Sequence, residues 1–293
     1  MGHQSPRIVL VCLLWLVIAL SCRTKLVTPE LCTLISATDQ LDAGGKLTDQ
    51  IARTFTYSTA SLNTLVERNT DRQAGLIAQY DQGGYITHAS SNSLVVSLDY
   101  AAGPSRQPFR ATAFQNGVVQ SVFELLYEPG GKLIQVNESR KVLFGISQTT
   151  DITYSFGYDL AGNLLTERIK YTLRDKSVVE QETEFSYDTK TASPYATFPE
   201  RVLLTVTALA LRVETMPGRF WQQNAMIGYK KYAIATATGN RGNLRESAVL
   251  TVQLDADKKR LVSQQQDTQM FSGSNPTPQL RRNQHTYLWK CNG

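Results

Sequence analysis

The sequence predicts an all-β protein, a long antiparallel meander of hairpins curled into a sandwich or open barrel. Three observations carry this. Short runs alternate with period two and are rich in aromatic and β-branched residues, as in Arg53-Thr54-Phe55-Thr56-Tyr57, Leu94 to Leu98, Ile152 to Tyr158 and Glu182 to Tyr187. Such alternation puts one set of side chains on a buried face and the other in water. Gly, Asn, Asp and Pro punctuate roughly a dozen of these runs, as in a chain of hairpins, and capped helical patterns are scarce. The third observation is a turn that repeats.

Three segments share one template: Tyr80-Asp81-Gln82-Gly83-Gly84-Tyr85-Ile86, Tyr127-Glu128-Pro129-Gly130-Gly131-Lys132-Leu133 and Tyr158-Asp159-Leu160-Ala161-Gly162-Asn163-Leu164. Tyr ends a strand and packs across to its neighbour. The carboxylate of Asp81, Glu128 or Asp159 can accept a backbone N–H and nucleate the turn. Gly84, Gly131 or Gly162 supplies the positive φ that closes the loop, and an aliphatic residue re-enters the sheet. Tyr187-Asp188 begins a fourth copy, lacks the Gly, and predicts a longer connection. Tyr57-Ser58 and Leu254-Asp255 are degenerate copies.

Sequential hairpins make a meander, and a sheet this wide must bury one face by curling or folding over. Residues 32–293 form a single β-rich domain in this reading. Gly103 to Pro108 and Met216-Pro217-Gly218 lack the length of a flexible linker, and Gly273 to Pro278 is an exposed loop before the last strand. Residues 200–214 are ambiguous between a buried helix and a strand. Alternating Val and Thr favour strand.

The N-terminus carries a different signal. Arg7 closes a basic region, and Ile8–Leu20 is an uncharged apolar run of 13 residues, followed by Ser21 and Cys22. The run is short for a membrane span and of signal-peptide length. Residues 18–22 resemble the lipobox of bacterial lipoproteins, although Ala19 stands where Leu is usual. The resemblance implies a signal peptide over 1–21, lipidation of Cys22, a tether over 22–31 and a membrane partner through the lipid anchor. Arg23, rather than Asp, after the cysteine implies the outer membrane.

The hairpin template resembles the YD repeat of large secreted β-rich proteins. Together with the lipobox it more closely resembles YD-repeat-like envelope lipoproteins of diderm bacteria, a group of unknown function. The corresponding features are Cys32, the three hairpins, the Tyr187 to Pro194 turn, and Cys291 after the aromatic strand Tyr287-Leu288-Trp289. Cys12 falls in the signal. Cys32 and Cys291 form an even pair, which in an oxidising compartment reads as a disulfide. The alternative is two separate thiols, each packed as a small hydrophobe.

Composition excludes several functions. With 42% apolar and 19% charged residues the chain is ordinary globular material. Its net charge of +5 comes from scattered basic groups such as Lys230-Lys231 and Arg281-Arg282, so no nucleic-acid partner is expected. No metal or cofactor is expected: the chain has three His and no Cys-x-x-Cys. His88 and His285 read as sheet-surface residues, acidic residues concentrate at turns, and no Gly-x-Ser-x-Gly elbow occurs. Gly239 to Asn243 reads as a hairpin tip.

No catalytic residue is assigned. Trp221, Tyr229 and Trp289 are candidate binding aromatics that could stack on sugar rings or anchor a protein, the alternative being core packing. The expected function is a non-catalytic envelope lipoprotein displaying a β surface to a glycan or envelope protein. The alternatives are a hydrolase acting on envelope or extracellular polysaccharide, and a purely structural component.

Overall fold

The computed structural model describes residues 32–291 apart from 60, 104, 143–147, 174–175, 236, 258 and 273–274. The signal segment 1–21, Cys22 and the tether 22–31 therefore lie outside the described residues. The strands run in chain order: β1 (Cys32–Ala43), β2 (Lys46–Ser58), β3 (Ser61–Asn69), β4 (Gln73–Tyr80), β5 (Ile86–Ser90), β6 (Leu94–Tyr100), β7 (Pro108–Gln115) and β8 (Val118–Tyr127). They continue as β9 (Leu133–Val142), β10 (Gln148–Tyr158), β11 (Leu164–Thr172), β12 (Val178–Ala192), β13 (Asn224–Ile234), β14 (Arg241–Leu254), β15 (Leu261–Ser272) and β16 (Asn275–Cys291). Each strand pairs with its sequence neighbour, and β1 meets β16, so the meander closes into a barrel. The expected all-β meander of hairpins is thus formed, and its curling goes to a fully closed barrel. Closure removes both sheet edges, which would otherwise invite pairing with another chain. Thr33 and Lys290 belong to a small terminal unit, and Leu34–Trp289 form the barrel body. The first and last residues of β1 and β16, Cys32 and Cys291, form a disulfide.

Period two sorts the side chains. Leu76, Val96, Ala111, Phe123 and Val136 point into the lumen and are fully buried. The outward positions mix polar residues with apolar ones such as Ile77 and Leu126 on β4 and β8, and are charged on β11 to β13. On β11 to β13, Arg168 stands opposite Glu182, and Glu184 stands opposite Lys230. Glu182 is gripped by Arg168 at 2.6 Å and Arg241 at 2.5 Å. Exposed apolar side chains occur as well: Val249, opposite Asp267, and Leu280, opposite Gln269, line one outer concavity, and Ile77 lies opposite Thr64 and Ser90.

The connection from β12 to β13 fills the lumen. It contains helix α1 (Arg201–Ala210) and a 3-10 turn, Pro217–Trp221. The strand favoured for residues 200–214 is thus corrected to a helix. Leu203 to Ala210 are all buried, and a helix apolar on all sides belongs inside a protein. With every sheet position already paired, lumen packing overrides the β preference of Val and Thr. Glu200, before the helix, receives a hydrogen bond from Tyr80 at one rim, while the Leu211 carbonyl accepts one from Arg72 at the other. The chain returns through the 3-10 turn to Asn224, whose N–H donates to the Asn163 side chain.

The repeated tyrosines share one rim. In the three hairpins the N–H of Gly84, Gly131 and Gly162 donates back to Asp81, Glu128 and Asp159, at 3.1, 2.9 and 3.1 Å. Their φ values are +76°, +90° and +89°. Asp81 and Asp159 also accept a backbone N–H through their carboxylates, whereas Glu128 pairs with Lys132. Each phenol then donates to the main chain of the preceding hairpin: Tyr80 to Leu62, Tyr100 to Ile86, Tyr127 to Pro108, Tyr158 to Leu133 and Tyr187 to Leu164. Tyr57 does the same to Leu34, and the Trp289 indole to Leu261. Burial pushes the pKa of these phenols above the ordinary tyrosine value, keeping them donors. At Tyr187 the missing Gly leads into the lumen connection, with Asp188 accepting from Thr191 at 2.6 Å.

Candidate functional site

The lumen is not uniform. Where β4 to β8 direct aliphatic side chains inward, β1 to β3 and β13 to β16 direct charged and amide groups. The inward parity is continuous with the apolar one: Arg53 shares it with Phe55, Glu67 with Leu65, and His285 with Tyr287. Acidic residues are therefore not confined to turns. Asp39, Glu67, Glu138 and Glu167 occupy buried inward positions on strands, which corrects that expectation.

These groups form one alternating chain. Glu67 pairs with Arg53 at 2.7 Å, and Arg53 reaches Glu214 at 3.3 Å. Glu214 meets Arg219 at 3.3 Å, and Arg219 meets Asp39 at 2.9 Å. Asp39 lies 2.5 Å from His285 Nδ1, and His285 Nε2 lies 2.9 Å from the Gln266 side-chain oxygen. The Gln266 amide donates to Tyr229, Tyr229 donates to Glu246 at 2.5 Å, and Lys231 pairs with Glu246 at 3.2 Å. Opposite charges follow one another, so each buried ion has the partner that low dielectric demands. Burial opposes ionisation of Asp39, and the Arg219 and His285 groups beside it more than offset this, holding its carboxyl below the usual range. His285 is buried within this chain rather than on the sheet surface, a correction to its expected place. His88 stays on the outer face, half-buried.

A second buried carboxyl stands apart. Glu167 on β11 accepts the Gly218 N–H at 2.8 Å, and its other oxygen has no partner among the described residues. Burial pushes it up to about 8, so it carries a proton at neutral pH.

Beside the ionic chain lies a cavity of about 480 Å³. Its lining includes Arg212, Lys231, Thr268, Met270, Arg281 and Asn283. It also touches the β3–β4 turn at Asn69 to Asp71, so it opens at the rim opposite the tyrosines. Its volume falls within the range of small-molecule sites.

The candidate binding aromatics lie elsewhere in the architecture. Trp221 is buried in the lumen, with its indole donating to Thr205 at 3.1 Å. Tyr229 is a buried link in the ionic chain and borders the cavity. Trp289 is half-buried and bonded to Leu261 at 2.9 Å. None is an exposed stacking platform, which corrects that expectation: all three are inward by strand parity or carried by the lumen segment. No group of His, Cys, Asp and Glu suited to a metal occurs among the described residues.

No protein-family model matches the chain, and no curated protein matches it. Solved structures do match in shape. A porin-like protein from Bacteroides uniformis has 10% identity and a TM-score of 0.51, over 88% of this chain and 96% of that one. A porin-like protein from Bacteroides vulgatus has 8% identity and a TM-score of 0.43, over 86% and 96%. At the identity of the first, the likeness shows a common fold, the closed antiparallel barrel of hairpins.

Proposed function

We propose that this chain is a non-catalytic cell-envelope lipoprotein, anchored through Cys22, whose barrel stands in water and takes a small polar ligand into its lumen cavity. One observation carries the reading: charged pairs cross the outer face of β11 to β13 at mid-strand, and the lumen is packed. A membrane-spanning barrel presents an apolar band to lipid and a polar interior. Here Arg168, Glu182, Glu184 and Lys230 face outward at mid-strand, and helix α1 occupies the lumen. An acyl anchor supplies the membrane attachment that such a surface lacks.

The chemistry of the lumen favours binding over catalysis. Both ring nitrogens of His285 are engaged, leaving none to serve as a base. Asp39, Glu214 and Glu246 each contact a cation, and Glu167 is enclosed by Leu164, Phe156 and Gly218. The test is Cys22→Ala in the full chain, followed by cell fractionation. The protein should leave the membrane pellet and run as a soluble species without detergent. Retention in the pellet through a carbonate wash would overturn the reading.

A further inference from the structure

The lumen cavity carries two guanidinium groups at its mouth that make no ion pair among the described residues. Asp39, Glu214 and Glu246 are each bound to cations of the ionic chain. Arg53, Arg219 and Lys231 are the matching cations and are spent on them. Arg212 and Arg281 line the same cavity, are exposed, and have no carboxylate within ion-pair distance among the described residues. Asp71 is the exposed carboxylate on that wall, one against two guanidinium groups.

Two features show that these arginines are placed rather than merely solvated. Arg281 lies opposite Thr268 in the ladder, on the inward face, while its neighbour Arg282 points out to Asp267 at 2.7 Å. Arg212 holds a positive φ of 56° at the end of α1, where the chain turns back, near Arg72 and the Arg140–Glu138 pair. Between the two arginines the wall offers polar groups. Asn283 is 6% exposed, lines the cavity, and has no hydrogen-bond partner among the described residues. An amide open to the cavity beside guanidinium groups without ion pairs suits a ligand with a planar anionic group and hydroxyls.

We propose that the cavity binds a small organic anion, its carboxylate or phosphate taken by Arg281 and Arg212 and its neutral polar part by Asn283. This rests on the ligand-binding reading above and adds the class of ligand. A neutral sugar of the same size is a poor ligand, because it leaves the guanidinium groups unpaired.

Calorimetry on the purified full chain tests this with glucuronate and glucose, which differ by one carboxylate, and with inorganic phosphate. Glucuronate should bind at least tenfold tighter than glucose, and more weakly as salt rises. Arg212→Gln with Arg281→Gln should remove that preference without lowering the melting temperature, since both side chains are exposed. Phosphate binding that the double variant loses supports the same anion site for a phosphorylated ligand. Equal affinity for both sugars, abolished by Met270→Trp at the mouth, would overturn the anion class and leave the cavity reading standing. Absence of binding by all three probes would overturn both.

Discussion

The Tyr158 hydroxyl donates to the carbonyl of Leu133, 25 residues upstream, at 2.7 Å. Leu133 is itself the ladder partner of Tyr127 across the preceding hairpin. One residue type thus ends its own strand and ties down the start of a neighbouring hairpin, which explains why the template keeps Tyr where Phe would pack equally well. Tyr158→Phe should destabilise by about 1–2 kcal/mol, the worth of the bond plus part of the cost of a bared carbonyl. Urea unfolding checks this, with outward-facing Tyr232→Phe as the control expected to change nothing comparable.

The turn glycines differ in what surrounds them. An added Cβ at Gly84 meets nothing within 4 Å, whereas at Gly162 it lies 2.9 Å from the Gln223 side chain. Gly84→Ala should cost roughly 1 kcal/mol through the positive φ alone. Gly162→Ala should cost more, and thermal unfolding of the two variants side by side checks the order. Equal losses would mean that Gln223 moves aside freely.

Arg53 and Glu67 are both essentially inaccessible to water. Arg53→Met alone leaves Glu67 buried without its cation and should cost about 3–5 kcal/mol. Arg53→Met combined with Glu67→Leu should recover much of that, because an apolar pair replaces an ion pair. A double-mutant cycle from denaturant midpoints measures the coupling.

Glu167 predicts a pH dependence. Its folded pKa of about 8 lies above the ordinary 4.5, so across that interval the folded state holds a proton that the unfolded chain releases. Stability must then fall as pH rises: the contribution is complete below about 4.5 and lost by about 8. Glu167→Gln should flatten this slope relative to the parent chain, as read from urea midpoints at several pH values. An unchanged slope would assign the effect to other groups.

Much of the barrel was legible in the sequence. The hairpin template located three turns and the tyrosine rim, because a positive-φ glycine and a strand-ending tyrosine are local requirements. The helix was not legible, since Val202 to Leu211 gives up its β preference only in a lumen whose ladders are already complete. The ionic chain was half legible. Arg53 could be seen to share the inward parity of Phe55 and Tyr57, but its neutralising partners lie far away in sequence, with Glu214 separated by 161 residues. Trp221 and Tyr229 misled for the same reason: an aromatic side chain does not announce which side of a closed sheet it occupies.

The rim bonds make the hairpin an exchangeable part. Each unit brings one phenol that reaches backward and one carbonyl that receives the next. Copying a whole hairpin into the meander would leave every such bond satisfied on both sides, whereas copying a single strand would reverse the direction of all that follow. Barrels of this design can therefore widen or narrow in steps of two strands, and their circumference becomes a quantity that duplication and deletion can tune while the lumen segment adjusts to the space it must fill.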